Sequence, residues 1–182
     1  MKTTPRISGA WRTGIAAVIW LAMTAVVFAQ KVTVDSNPAA PFSAYKTYAW
    51  LNGTPAPEPI MEQQLRASIN ERLMARGLTK TTVSPDLLVM TNVTTQQRQE
   101  FVPNGFAYGP WWWGAYGYGP GYMDTWLEGT LVVDFYDAKT KQLVWRGVAT
   151  ANASDKPTHN IEKMDKALKK MFEKFPIGAS VN

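Results

Sequence analysis

The chain has 182 residues, 19 Lys and Arg against 14 Asp and Glu, a net charge of +5 and no cysteine. The missing cysteine excludes disulfides, thiolate metal sites, a cysteine nucleophile and lipid attachment through an N-terminal cysteine. Lys2, Arg6 and Arg12 all lie in the first 29 residues, and without them the net charge falls from +5 to +2, so the basic balance does not point to nucleic acid.

That opening segment reads as an export signal. Its positive start is followed by the apolar stretch Gly14 to Phe28, and Val27, Phe28 and Ala29 fit a small-residue cleavage site before Gln30. The stretch is short for a membrane span, which needs about 20 residues. A signal peptide over 1–29 and a single domain over 30–182 follow, and the chain is placed as exported, in the periplasm or at the outer membrane.

Val32 and Val34 alternate with polar neighbours as in a short strand, broken by Asp35 to Pro38. Tyr45 to Leu51, rich in aromatics, predicts a second strand lying beside the first. Within it Tyr45, Thr47 and Ala49 take one side and Lys46, Tyr48 and Trp50 the other, one set for the core. The Pro-rich piece from Thr54 leads to a helix over Ile60 to Arg76, with Met61, Leu65, Ile69 and Leu73 on one face and Gly77 as its stop.

Asp86 to Val102 predicts a strand that becomes polar as it runs outward. Phe101 to Trp126 then reads FVPNGFAYGPWWWGAYGYGPGYMDTW, ten aromatic residues set among Gly and Pro, expected to be irregular throughout. Thr130 to Tyr136 and Leu143 to Ala151 form the last hairpin, with Leu131, Val133 and Phe135 on one face. A final helix carries the stripe Ile161, Met164, Leu168, Met171, Phe172 and Phe175, and Pro176 stops it. The order predicts an α+β two-layer sandwich: a mixed or antiparallel sheet of about five strands, two helices on one face, and a Gly/aromatic loop at 103–126 before the last hairpin.

Several short motifs resemble one family. They are Val32, Val34 and Asp35; Phe42 with Tyr45 to Trp50; Gly77 and Leu78; Pro85 to Val89; Gly129 to Leu131 with Asp134 and Asp137; Leu143 to Gly147; and Phe175 with Pro176. In order and spacing they are similar to the bacterial envelope proteins grouped as domain of unknown function 4136. The resemblance implies an envelope location, no assigned activity and, for many members, a Gly/aromatic insertion before the last hairpin. The resemblance also implies predicted lipoproteins among many members; this chain departs in having no lipobox cysteine, which favours a soluble periplasmic or loosely attached form.

No catalytic constellation accompanies these motifs. Asp134 and Asp137 are three apart on a strand and point to opposite faces, with Asp137 placed as a turn residue. His159 is the only histidine, which leaves neither a multi-histidine metal site nor a Ser-His-Asp triad, and it reads as surface or capping. The tract's glycines match no nucleotide-binding loop, so no cofactor and no metal is expected. Asn-x-Ser/Thr triplets at Asn52, Asn92 and Asn152 read as coincidence.

The tract is the functional clue. Trp and Tyr offer flat apolar faces with a polar edge, suited to a membrane surface, peptidoglycan or an envelope protein. The lack of Lys or Arg between Phe101 and Trp126 argues against nucleic acid. The expected contact residues are Trp111, Trp112, Trp113, Tyr116, Tyr118 and Tyr122. The leading reading is an exported non-enzymatic binding or anchoring module. The alternatives are an enzyme acting on an envelope glycan, with Glu100, Asp124 or Glu128 as acid or base, and self-association through the tract. Packing of the rings over the open sheet face is the structural counterpart.

Overall fold

A computed structural model describes residues 30–102 and 121–177. The elements are β1 (Lys31–Ser36), a 3₁₀ turn (Phe42–Ala44), β2 (Thr47–Trp50), α1 (Pro59–Met74), β3 (Thr79–Lys80), β4 (Leu87–Val102), β5 (Tyr122–Asp137), β6 (Leu143–Asn152) and α2 (Pro157–Glu173). They form the expected α+β layers, with a six-stranded sheet ordered β1-β6-β5-β4-β2-β3. The sheet is mixed: β2 runs parallel to β3 and β4, and the other pairs are antiparallel. Among the described residues no helix is long and apolar enough to cross a membrane.

Both helices form for the reasons visible in the sequence. In α1, Leu65, Ile69 and Leu73 are buried, and Pro59 occupies the first turn, where its missing N–H costs nothing. The helix ends where the Leu78 N–H donates to the Leu73 carbonyl at 3.1 Å, a closure that needs the left-handed backbone Gly77 adopts at φ +80°. In α2, Met164, Leu168, Met171 and Phe172 are buried, and Phe175 joins them just beyond the helix. Ser68 and Arg72 of α1 reach Asp165 of α2, the latter at 2.7 Å, and Arg76 donates to the Phe172 carbonyl.

The core between sheet and helices is filled most densely around Phe135, Trp145, Phe172 and Phe175. These rings meet at centroid distances from 4.8 Å (Phe135 to Phe175) to 6.2 Å (Phe135 to Phe172). A Cβ at Gly147 would stand 2.7 Å from Trp145 and 2.8 Å from Met171, so this position must be bare for α2 to settle on β6. Leu131, Val133 and Phe135 face the helices as the alternation predicts.

Three expectations are corrected. β1 and β2 are not neighbours: β1 pairs with β6, while β2 joins β4 on the far side. The last hairpin leaves an open edge on β6 that β1 fills. Residues 37–46 cross the sheet end, where Asn37 bonds to Val144 and Tyr45 to Asp137. Adjacent strands in sequence usually pair, but here about ten residues of connection are long enough to span four strand spacings of ~4.8 Å. Next, β4 ends at Val102 as expected, but β5 begins at Tyr122 rather than at Thr130, so the last five residues of the expected 103–126 loop are strand. Cross-strand pairing to β4 overrides the local composition. Finally, β3 is an additional strand; its two residues are too few to show a period.

Many residues that carry the family resemblance turn out to hold this frame together. The Asp86 carboxylate accepts the N–H groups of Lys46 (2.9 Å) and Thr47 (3.0 Å) and the Thr47 hydroxyl, tying the start of β2 to the start of β4. Asp137 caps the β5–β6 turn through the N–H groups of Lys139 and Thr140, both at 2.8 Å, and accepts the Tyr45 hydroxyl at 2.9 Å. The turn role expected of Asp137 is therefore observed. Tyr45 lies before the strand yet is buried; Tyr48 is buried within it, and Trp50 partly so. Asn70 of α1 accepts both the Tyr48 hydroxyl and Trp50 Nε1–H.

These bonds set an acid limit. The N–H of Lys46 first of all holds Asp86 below the usual carboxylate range, and that of Thr140 does the same for Asp137. With folded values below unfolded ones, their stabilisation is complete above about pH 4 and is lost as pH falls through the depressed folded values. The melting temperature should drop most steeply below about pH 4. In Asp137→Asn that acid slope should be shallower, checked by calorimetry across this range; an unchanged slope would remove Asp137 from the account.

Candidate functional site

β4 and β5 pair without interruption from Leu87 and Asp137 to Val102 and Tyr122. The helical layer covers only the inner part. From Thr94 outward every β4 residue through Phe101 is exposed. β5 stays paired with β6 as far as Glu128 opposite Asn152, and beyond that point β4 and β5 continue as a free ribbon. From Gln97 to Val102, six residues at ~3.4 Å make it roughly 20 Å long. Its tip, Val102 opposite Tyr122, is where residues 103–121 leave and return.

Alternation gives the ribbon two unlike faces. On the face continuous with the helix side lie the pairs Gln97 and Leu127, Gln99 and Thr125, and Phe101 and Met123, with no charge among them. On the other lie Arg98 opposite Trp126, Glu100 opposite Asp124, and Val102 opposite Tyr122. Phe101 is 59 % exposed, Met123 and Tyr122 56 %, and Leu127 49 %. Arg98 pairs with Glu128 at 2.8 Å.

Of the expected contact residues, Tyr122 stands exposed at the ribbon tip. Trp111, Trp112, Trp113, Tyr116 and Tyr118 lie outside the described residues, as does the segment read as a signal. Of the three carboxylates considered as acid or base, Glu100 and Asp124 are direct cross-strand neighbours. Glu128 lies four residues from Asp124 along β5, about 13 Å away, held by Arg98. His159 is exposed in the first turn of α2, and its neighbour Asn160 makes the local contacts, bridging to the backbone N–H and carbonyl of Ser154. Asp134 is 1 % exposed, gripped by Arg146 through two bonds of 2.7 and 2.8 Å. That bond above all raises the guanidinium's pKa beyond its ordinary value.

A cavity of about 370 Å³ opens at the root of the ribbon, between the sheet, the first turn of α1 and the first half of α2. Its sheet wall is Val93, Leu127 and Leu131, and Met61 and Met164 face them from the helices. The space exists because Gly129, Ala149, Ala151 and Ala167 stand where larger side chains would fill it. Polar groups gather at its mouth: Gln30 donates to the Lys163 carbonyl, and Lys163 Nζ to the Asn152 carbonyl at 2.9 Å. Sequence reading missed this cavity, although Ala149 and Ala151, alternating on a strand opposite Gly129, were its visible trace.

Fold and site together define a two-layer α+β module whose central hairpin projects beyond its helices. The chain belongs to the family described as domain of unknown function 4136 (DUF4136), whose model matches residues 32–177. No curated protein matches it. Among solved structures, a PDZ domain protein from Parabacteroides distasonis is similar with a TM-score of 0.54 and 16% identity, over 80% of this chain and 35% of that one. This chain thus spans about a third of that protein's length, and the likeness is one of fold. The PelC dodecamer from Paraburkholderia phytofirmans gives a TM-score of 0.44 at 12% identity, covering 77% of this chain and 95% of that one. Lipoprotein GNA1162 from Neisseria meningitidis gives 0.39 at 11%, covering 69% and 96%.

Proposed function

We propose that this protein is an exported, non-enzymatic module of the bacterial cell envelope that attaches to a membrane surface through the end of the β4–β5 ribbon and the adjoining Gly/Trp/Tyr tract. The observation that carries this reading is the exposed, uncharged pair Phe101 and Met123, with Leu127 behind it, on one face of a ribbon that extends past the helical layer. An apolar patch held away from the body of a domain is a contact surface. The charged pair Glu100 and Asp124 lies on the opposite face, so the ribbon would lie flat, uncharged side down. Trp111, Trp112, Trp113, Tyr116 and Tyr118 then supply the interfacial anchors that aromatic rings provide at headgroup level, and Tyr122, which stands on the Glu100 and Asp124 face, joins them only at the tip of the ribbon.

The test is co-sedimentation of residues 30–182 with phosphatidylethanolamine/phosphatidylglycerol vesicles and, separately, with peptidoglycan. The protein should pellet with vesicles. A double variant, Phe101→Ser with Met123→Ser, should lose at least about tenfold in binding while melting within a degree or two of the parent, since exposed positions contribute little to stability. Replacing the three tryptophans by alanine should abolish the residual binding. Pelleting with peptidoglycan alone, or no pelleting with either, overturns the membrane reading.

A further inference from the structure

We infer that the cavity at the root of the ribbon is a binding site for a single-chain aliphatic amphiphile of the fatty-acid class, with the chain inside and the polar head at the mouth. The walls are mostly aliphatic or thioether, Val93, Leu127, Leu131, Met61 and Met164, with the hydroxyl of Thr95 at the exposed edge, and among the described residues no aromatic ring lines the space. This contrasts with the other end of the same core, where four rings are packed together. Such a lining offers nothing for stacking on a planar or sugar ring, and its partly buried polar pair, Asn160 and Ser154, is satisfied by mutual bonds. It matches a flexible hydrocarbon, and methionine adapts to its shape.

Size selects one chain. At roughly 30 Å³ for a group the size of a water molecule, the cavity takes about twelve methylene-sized groups, and its volume sits at the small end of ligand pockets. The mouth carries opposite charges, Lys163 and Glu58, beside the amides of Gln30 and Asn160, so it holds a polar head without demanding one sign of charge. Selectivity resides in chain length. The site is also built rather than accidental in its geometry: Gly129 is its floor on β5, and a Cβ there would meet nothing closer than the Ala151 carbonyl at 3.8 Å. A side chain would fit, and glycine leaves the space free.

Titration calorimetry of residues 30–182 with dodecanoate, below its micelle concentration, tests the site. Dodecanoate and dodecan-1-ol should bind with affinities within about tenfold of each other, and hexanoate at least about a hundredfold more weakly, since each buried methylene adds to the affinity. Gly129→Leu should fill the floor and weaken dodecanoate at least tenfold without lowering the melting temperature. Ala151→Leu, on the neighbouring strand, should do the same and stands in if Gly129→Leu does not fold. Replacing residues 104–120 by a short Gly/Ser linker should leave binding intact. Absence of dodecanoate binding, binding indifferent to both leucine variants, or binding that appears only with the linker would each overturn the proposal, the last because it would make the tract itself the occupant.

Discussion

Trp145→Ala should cost about 3–5 kcal/mol of unfolding free energy, the usual loss when a large buried ring is removed from a close-packed core. The indole is 1 % exposed and touches Phe135, Phe172 and Phe175, thereby joining β5, β6 and α2. For a domain of this size the melting temperature should fall by roughly 10 °C or more. Trp145→Phe should cost much less, because it keeps most of the packing and removes an indole N–H that has no acceptor among the described residues. Urea unfolding of both variants gives the comparison. A loss below about 1 kcal/mol for the alanine variant would mean that the rings do not form the centre of the core.

Arg146→Ala should be the second costly change, at about 3 kcal/mol, although Arg146 itself is half exposed. The penalty arises on the other side of the pair. The arginine donates from two nitrogens to a carboxylate that has almost no access to water, and its removal leaves that charge without its strongest partner. The double variant Asp134→Leu with Arg146→Leu should recover most of the loss, since a well-packed apolar pair on the sheet does not need compensation. A double-mutant cycle by chemical denaturation measures the coupling. Equal losses in the single and double variants would show that shape, not charge, is what this position requires.

The sequence made the frame readable where periodicity is long and one-sided. The stripes of α1 and α2 and the alternation at Leu131, Val133 and Phe135 each report a buried face directly. The polar drift of β4 after Val93 likewise announced that the strand runs out of the core. Strand order was less legible because pairing is a long-range choice: nothing near Val32 and Val34 says that their partners, Ala149 and Gly147, lie more than a hundred residues away. The ribbon was hidden for a different reason. Met123 and Thr125 read locally as the tail of a Gly/aromatic tract, and only the facing residues Phe101 and Gln99 make them a strand. Of the candidate site, chemistry was visible at Tyr122, Glu100 and Asp124, but their faces and neighbours depended on that register. The cavity was hardest to see, since it is defined by atoms that small residues lack.

The projecting ribbon divides this protein into a part under tight constraint and a part under little. Beyond Val93 and Leu131 the two strands add no residue to the core, and beyond Gln97 and Leu127 their outer edges pair with no other strand among the described residues. Substitutions, insertions or exchanges there leave the bonds of Asp86, Asp137 and Asn70 untouched. The body can therefore be inherited as a fixed mount while the arm diversifies, and members of one family can share a fold closely yet attach to different things.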